Sequence, residues 1–478
     1  MTRNSLLDTV PAEFSPERPS SEAVLLAPAA VLTPEGIQHG YGVVVSDGKF
    51  LAVAALESLS AEFGGIQRVD LPGRLLMPGF IDSHQHLAQA FGKALAFGEP
   101  SEIFKRIWVP LEGFLNQELV YLSGKLAAFE ALRGGITTVA DAGARSSGDL
   151  SVLAQAAEEA GLRCVLGIIC NDFPESPNPP DKNEILKRAD DHLSRYDGNA
   201  LITPSLAISI PEIASDWMLN QVYERCREAG RVFQTHVNEH LAAVERSLVD
   251  RRLRPLEHLA RAKALGPHTL AAHVTLVTPA ELNLLRDTDT AVAYNPVASQ
   301  WKGNAVCPAL QMEALGIRLG LGTDGTRSDG FRLVDAAESL QRIAFGLSVG
   351  DSSCGGGYKW LDMSSRGGAE VLGLSGVTGS IKPGLAADFL LVDLDVPELT
   401  PSWDLPWDLV RLGNRSQIEA VFVGGRLRLW QGWPVDWDGK ALMERINKLA
   451  GEAVAQAPIK RVHGTSAEYT GFRRELGI

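Results

Sequence analysis

The chain has 478 residues, 45% of them hydrophobic and 22% charged, with a formal net charge of −13. That length suits one large domain plus a smaller one, and the acidic balance argues against a general nucleic-acid-binding surface. No apolar run is long enough to span a bilayer and the first residues lack the apolar core of a signal peptide, so the expected compartment is the cytoplasm, without a membrane partner.

In chain order, residues 1–21 are polar and proline-bearing and read as a tail. Residues 22–76 alternate short apolar runs with turns. AVLLAPAAVLT, GYGVVVSDGKFLAVA and QRVDLPGRLLMPG read as β-strands, with Asp47-Gly48 as a hairpin turn. From 77 to 375 the pattern changes to short β-branched runs, each followed by a longer helical stretch. GFIDSHQHL, ITTVADAG, CVLGIIC, LITPSLAIS, RVFQTHVNE, TLAAHVTL, AVAYNPV and RLGLGTDG make eight strands. This alternation predicts an α/β fold, a (β/α)8 TIM-like barrel rather than an open doubly wound sheet. Strand texture returns over 376–435, in DFLLVDLD and IEAVFVGGRLRLW, with Gly424-Gly425 at a turn. The two ends are therefore expected to join as a small β-sandwich domain beside the barrel, and 436–478 forms a C-terminal helical extension. Cys164, Cys170, Cys226, Cys307 and Cys354 form no CxxC pair and fit reduced, buried thiols.

Barrel enzymes carry their reactive groups at the C-terminal ends of strands. His84 and His86 close the first strand, His236 the fifth, His273 the sixth and Asp324 the eighth. Residues two apart on a strand point the same way, so His84 and His86 can face one ion. With His236 and Asp324 they make three imidazoles and a carboxylate, a set that suits Zn²⁺ first and Fe²⁺ second. A metal there makes hydroxide available near neutral pH. Glu239, three residues after His236, can take a proton from water and pass it to a leaving nitrogen.

MPGFIDSHQHLAQ, EALRGGITTVADAG, THVNEH, AAHVTLVTPAEL, NPVASQ, LGLGTDG and TGSIKPGLAADFLLVD follow one another in the order of the amidohydrolase superfamily. The chain resembles the mononuclear aminohydrolase branch, with its cytosine, guanine and triazine deaminases and related chlorohydrolases, over about residues 22–435. The resemblance implies metal ligands at His84, His86, His236 and Asp324 and a proton shuttle at Glu239. His273 would orient the hydroxide or polarise the substrate, and Asp324 would double as a base. Strand four, LITPSLAIS, lacks the lysine of the binuclear branches, which implies one divalent metal. Gln89 resembles a ring-contacting glutamine, and Trp108 offers a stacking face. Tyr294 and Gln300 depart from the family's histidine and asparagine at positions that border the substrate in relatives. A substrate-orienting role is expected of Tyr294. A homodimer is also implied.

These residues predict hydrolytic deamination of an oxo- and amino-bearing heterocycle of pyrimidine, purine, pterin or triazine type. Chloride expulsion and cyclic-amide opening are rivals on the same site. A catalytically silent interaction protein is the remote alternative, and relatives of that kind lose metal ligands, all of which are present here.

Overall fold

The computed structural model describes residues 7, 9–14, 21–99, 103–146, 148–350, 353–462 and 474. Most of the expected tail over 1–21 and the end of the C-terminal extension lie outside these residues.

Five strands open the described fold: β1 (Val24–Thr33), β2 (Gly36–His39), β3 (Tyr41–Ser46), β4 (Lys49–Ala55) and β5 (Gln67–Pro78). The β3–β4 turn uses Asp47 and Gly48 at φ 50° and 74°, the left-handed pair that a two-residue hairpin demands. β5 pairs in parallel with β1 and antiparallel with β14 (Phe389–Asp393), in the register Phe389↔Pro78. β15 (Ile418–Val423), β16 (Arg426–Trp430) and β17 (Trp433–Pro434) extend the sheet, so both chain ends build one mixed sheet of nine strands. Alternate residues of its strands, among them Val43, Phe50, Phe389 and Phe422, share one apolar core. The Phe389 and Phe422 rings stack at 4.4 Å.

The sheet runs directly into the barrel. β5 ends at Pro78 and β6 (Phe80–Gln85) begins after Gly79. A side chain at 79 would meet the Thr137 hydroxyl at 2.1 Å, so only glycine lets the chain pass. The remaining barrel strands are β7 (Ile136–Asp141), β8 (Arg163–Ile169), β9 (Ile202–Ile208), β10 (Phe233–Val237), β11 (Thr269–His273), β12 (Ala291–Tyr294) and β13 (Leu319–Leu321). They pair in parallel in sequential order, and they are the eight strands read from the sequence. β13 returns to β6 through the Asp324 N–H, which donates to the His84 carbonyl at 2.8 Å and nearly closes the ring.

Local chemistry sets the helices between the strands. Thr278 and Glu281 form a capping box at the start of helix Pro279–Asp287, with proline in its first turn. Ser215 caps helix Asp216–Ala229, and Gly230, at φ 63°, ends it in the left-handed conformation. All five cysteines are buried, and none of them forms a disulfide among the described residues. Among the described residues, no helix is long and apolar enough to cross a membrane.

After the second half of the sheet, helix Gly439–Gln456 leans on helix Gln117–Arg133, with Arg445 paired to Glu118. The chain then reaches the barrel mouth. The Lys460 N–H donates to the Arg106 carbonyl at 2.9 Å. Arg461 Nε and the Val462 N–H both donate to the buried carboxylate of Glu99, at 3.2 and 3.0 Å. The C-terminal segment thereby braces the loop that follows β6.

Candidate active site

The site is built at the C-terminal ends of β6, β10, β11 and β13. His84 lies on β6 and His86 just past its end, both turned to the same centre as their spacing predicts, and both are buried. Their Nε2 atoms each stand 3.3 Å from Asp324 Oδ1. His86 Nε2 is also 3.1 Å from His236 Nε2. His273 Nε2 lies 3.8 Å from Asp324 Oδ2 and 3.9 Å from Glu239 Oε2. Sequence positions as distant as 84 and 324 thus meet in one cluster. A ligand atom from each of His84, His236, His273 and Asp324 lies within 4.8 Å of the others. This grouping has His273 where the sequence reading has His86, but the His86 contacts place it in the same cluster.

Ring tautomers separate the histidines. His236 Nδ1 is 2.7 Å from the Ser209 carbonyl, which can only accept. The Nδ1 hydrogen therefore goes there, and Nε2 turns a lone pair to the cluster. At His273 the Asn295 amide nitrogen lies 3.2 Å from Nδ1 and donates to it. That leaves the hydrogen on Nε2, so His273 turns a donor toward the centre and His236 an acceptor.

Burial pushes the imidazoles of His86 and His236 below the ordinary histidine range, and that of His273 down to about 4. Neutral rings are what metal ligation needs. Burial alone would raise Asp324, but Lys302 and the imidazoles override it and hold the carboxyl well below its usual range. The donor set fits a divalent metal. His84 Nε2 is buried without a hydrogen-bond partner, and the Nε2 atoms of His86 and His236 converge at 3.1 Å, a spacing that two ligands of one cation can take.

The backbone around the cluster is strained. Asn238, His273, Val274 and Asp324 have φ of 50°, 75°, 47° and 55°, a region that side-chain-bearing residues rarely occupy. Hydrogen bonds hold it there. The Val274 N–H donates to the Val237 carbonyl at 3.0 Å. Asp82 accepts from the Thr323 N–H at 2.9 Å and its hydroxyl at 2.6 Å, beside Asp324.

A recess opens over the cluster, lined among others by His86, Gln89, Phe104, Trp108, Arg145, Glu239 and Lys302. Gln89 and Trp108 are both among its lining residues. Glu239 borders the recess beside the cluster, and His240 caps helix Leu241–Arg251 through an N–H···Nδ1 bond of 3.2 Å from Ala243.

Two expectations are corrected. Tyr294 is fully buried away from the recess, and its hydroxyl donates to the Ala337 carbonyl at 3.2 Å. Neighbouring side chains on a strand alternate in direction, so Asn295 meets His273 while Tyr294 faces the helix layer. Burial raises its phenol pKa. Gln300 is exposed on helix Pro296–Lys302 and lines no part of the recess.

The sequence reading missed Lys302, Arg145 and Glu112. Lys302 Nζ bonds Glu239 Oε1 at 2.7 Å and Asp324 Oδ2 at 2.5 Å. Lys302 overrides burial and lowers Glu239 to about 2. Glu112 accepts from Gln89 Nε2 at 2.7 Å and from Arg145 Nη1 at 2.9 Å. The Arg145 guanidinium lies over the Phe104 ring at 4.3 Å and reaches Ser209 Oγ at 3.3 Å. Arg145 follows β7 at the barrel's C-terminal face, where strand-end position was the one available signal.

Comparison with known proteins agrees with this geometry. Residues 75–428 match the amidohydrolase family. The chain is 28% identical over 435 residues to a 5-methylthioadenosine/S-adenosylhomocysteine deaminase of Syntrophobacter fumaroxidans, covering 89% of this chain and 97% of the relative. It is 29% identical over 425 residues to a 5′-deoxyadenosine deaminase of Methanosarcina mazei, covering 87% and 94%. The structure of a Xanthomonas campestris adenosine deaminase with bound zinc superposes with a TM-score of 0.83 at 25% identity, over 92% of this chain and all of that one. The chain belongs to the amidohydrolase family, and its relatives are of the aminohydrolase branch.

Proposed function

We propose that this hydrolase of carbon–nitrogen bonds is a deaminase of an oxo- and amino-bearing nitrogen heterocycle, dependent on one divalent metal, zinc, held by His84, His86, His236 and Asp324. The observation that carries the reading is Glu239 beside this imidazole–carboxylate cluster, with an oriented glutamine on the facing wall. The names of the relatives support deamination, and the zinc in the Xanthomonas protein supports the metal.

When bound, the metal supplies hydroxide at neutral pH by lowering the pKa of water. The chain's own residues do the rest. Glu239 Oε1 is engaged by Lys302 and by Asn304 Nδ2 at 3.3 Å, which leaves Oε2 to carry a proton. It takes that proton from the attacking water and delivers it to the departing nitrogen. His273, its hydrogen on Nε2, donates to the oxygen that adds to the ring carbon. Asp324 has Oδ2 on Lys302 and Oδ1 against His84 and His86 Nε2, so proton transfer falls to Glu239, which keeps Oε2 for it.

The wall opposite reads the ring. Glu112 accepts, so Gln89 gives it the amide nitrogen, and Gln89 Oε1 lies on the Gly325 side. That oxygen accepts a hydrogen bond from a ring N–H. Arg145 keeps an Nη2 hydrogen beyond Ser209 and can donate to an adjacent carbonyl. An acceptor beside a donor complements a lactam edge, as in guanine, isocytosine, pterins and hydroxytriazines. Trp108 provides an apolar face.

The test is a panel of cytosine, isocytosine, guanine, aminopterin, aminotriazines, 5′-deoxyadenosine and methylthioadenosine, with chlorotriazines and cyclic ureides as rivals. Amine release should favour the lactam-bearing members. Adenosine-type substrates turned over alone would refute the role given to Gln89 and Arg145.

A further inference from the structure

Lys302 is held more tightly than a barrel-mouth lysine needs to be. It ends helix Pro296–Lys302, and Gly303, at φ 65°, turns the chain away at once. Ser299 pins the turn, its hydroxyl donating to the Ala305 carbonyl at 3.0 Å and its carbonyl accepting the Asn304 N–H at 3.1 Å. The neighbouring Trp301 packs edge-to-face on Phe97 with ring centres 4.7 Å apart. The side chain is 15% exposed, so its ammonium is largely withdrawn from water and depends on its partners.

Those partners are one oxygen from each of two carboxylates. Lys302 takes Oδ2 of Asp324 and Oε1 of Glu239. The other oxygen of each is left facing the reacting centre. Asp324 Oδ1 stands 3.3 Å from both His84 and His86 Nε2, and Glu239 Oε2 faces His273 Nε2 at 3.9 Å. The lysine does not take the metal's place, because the imidazoles gather around the opposite oxygen of Asp324. A rotating carboxylate presents either oxygen; a clamped one presents a defined oxygen in a defined direction, which is the value of a rigid supporting shell.

We propose that Lys302 is a positioning residue that clamps Asp324 to the metal through Oδ1 alone and fixes Glu239 with Oε2 toward the substrate, at the expense of metal affinity. The expense follows from charge: a fixed ammonium on a ligand carboxylate repels any cation bound to its other oxygen, and in a buried site that repulsion is poorly screened. Turnover is gained because the shuttle oxygen is already aimed. The proposal rests on the deaminase reading only for its effect on turnover.

The experiment compares the parent full-length protein with Lys302→Met and Lys302→Arg. Thermal melting and circular dichroism establish that each is folded. Zn²⁺ affinity is measured by chelator competition without substrate. Lys302→Met should bind Zn²⁺ at least ~10-fold more tightly, and Lys302→Arg should stay near the parent. With whichever panel compound is deaminated, the kcat of zinc-loaded Lys302→Met should fall about 10- to 100-fold with little change in KM, and Lys302→Arg should recover part of it. Equal or weaker Zn²⁺ binding by Lys302→Met overturns the proposal whatever the substrate is. Tighter binding with unchanged kcat overturns the positioning role. The zinc measurement is independent of deamination, so a wrong reaction and a wrong role for Lys302 give different results.

Discussion

The floor and the wall of the recess are built differently. The floor is built on strand ends: His84, His236 and His273 sit on β6, β10 and β11, His86 comes just after β6, and Asp324 lies three residues past the end of β13. Their places are fixed by the backbone ladder of the barrel and by left-handed residues that the ladder holds. The wall is loop and short helix: Gln89, Trp108, Glu112, Arg145 and Lys302 come from the connections after β6, β7 and β12. Their places are fixed by side chains that hold one another, and by the C-terminal segment bonded to Glu99 and Arg106. The difference separates two jobs. The floor holds the reactive centre, and loops such as those of the wall can vary to choose a substrate.

This contrast sets an order of expected effects. The largest belongs to the floor. His84→Ala removes a proposed ligand from a centre that leaves no spare imidazole lone pair, so metal and turnover should vanish together. The loss should exceed the ~10- to 100-fold typical of changes outside a metal's direct ligands. Metal analysis beside an activity assay checks it, and a metal-replete active variant would break the assignment. Glu239→Gln comes next. It should retain metal and lose on the order of 10²-fold or more in kcat, because an amide cannot carry the proton.

Gln89→Leu probes the wall. It should leave metal content unchanged and lower kcat/KM for lactam-bearing substrates about 10- to 100-fold, with a smaller effect on rings lacking the N–H. Equal losses across both groups would mean that Gln89 only supports Glu112. The smallest effect is expected at Tyr294→Phe. The hydroxyl's visible partner is the Ala337 carbonyl, so its removal should cost about 0.5–1.5 kcal/mol of stability and leave KM unchanged. A raised KM at unchanged melting temperature would return Tyr294 to the substrate.

The same contrast explains what the sequence made legible. Each floor residue lies at the end of a short strand-like run, and the run, the turn after it and its order along the chain are all visible in one dimension. The two-residue spacing of His84 and His86 even reports their shared direction. Wall residues carry no such period. Arg145 lies in an irregular GARSS stretch, and its partner Glu112 comes from a different connection, so their pairing exists only after folding. Tyr294 and Gln300 are misplaced for a related reason: positions that border the substrate in relatives do not border the recess here. Strand alternation gives Asn295 access to the site, and helix geometry gives it to Lys302, which is two residues, or roughly 200°, around from Gln300. Family position identified the right connection but not the side of it that faces inward.

The most direct test of the account is amine release by the purified protein before and after metal removal, measured on the heterocycle panel with the oxo product identified. The account predicts ammonia or a small amine in equal amount with the oxo product, loss of that activity on chelation, and its return with about one equivalent of Zn²⁺ per chain. Metal-loaded protein that opens a cyclic ureide efficiently while releasing no amine from any panel member would contradict it.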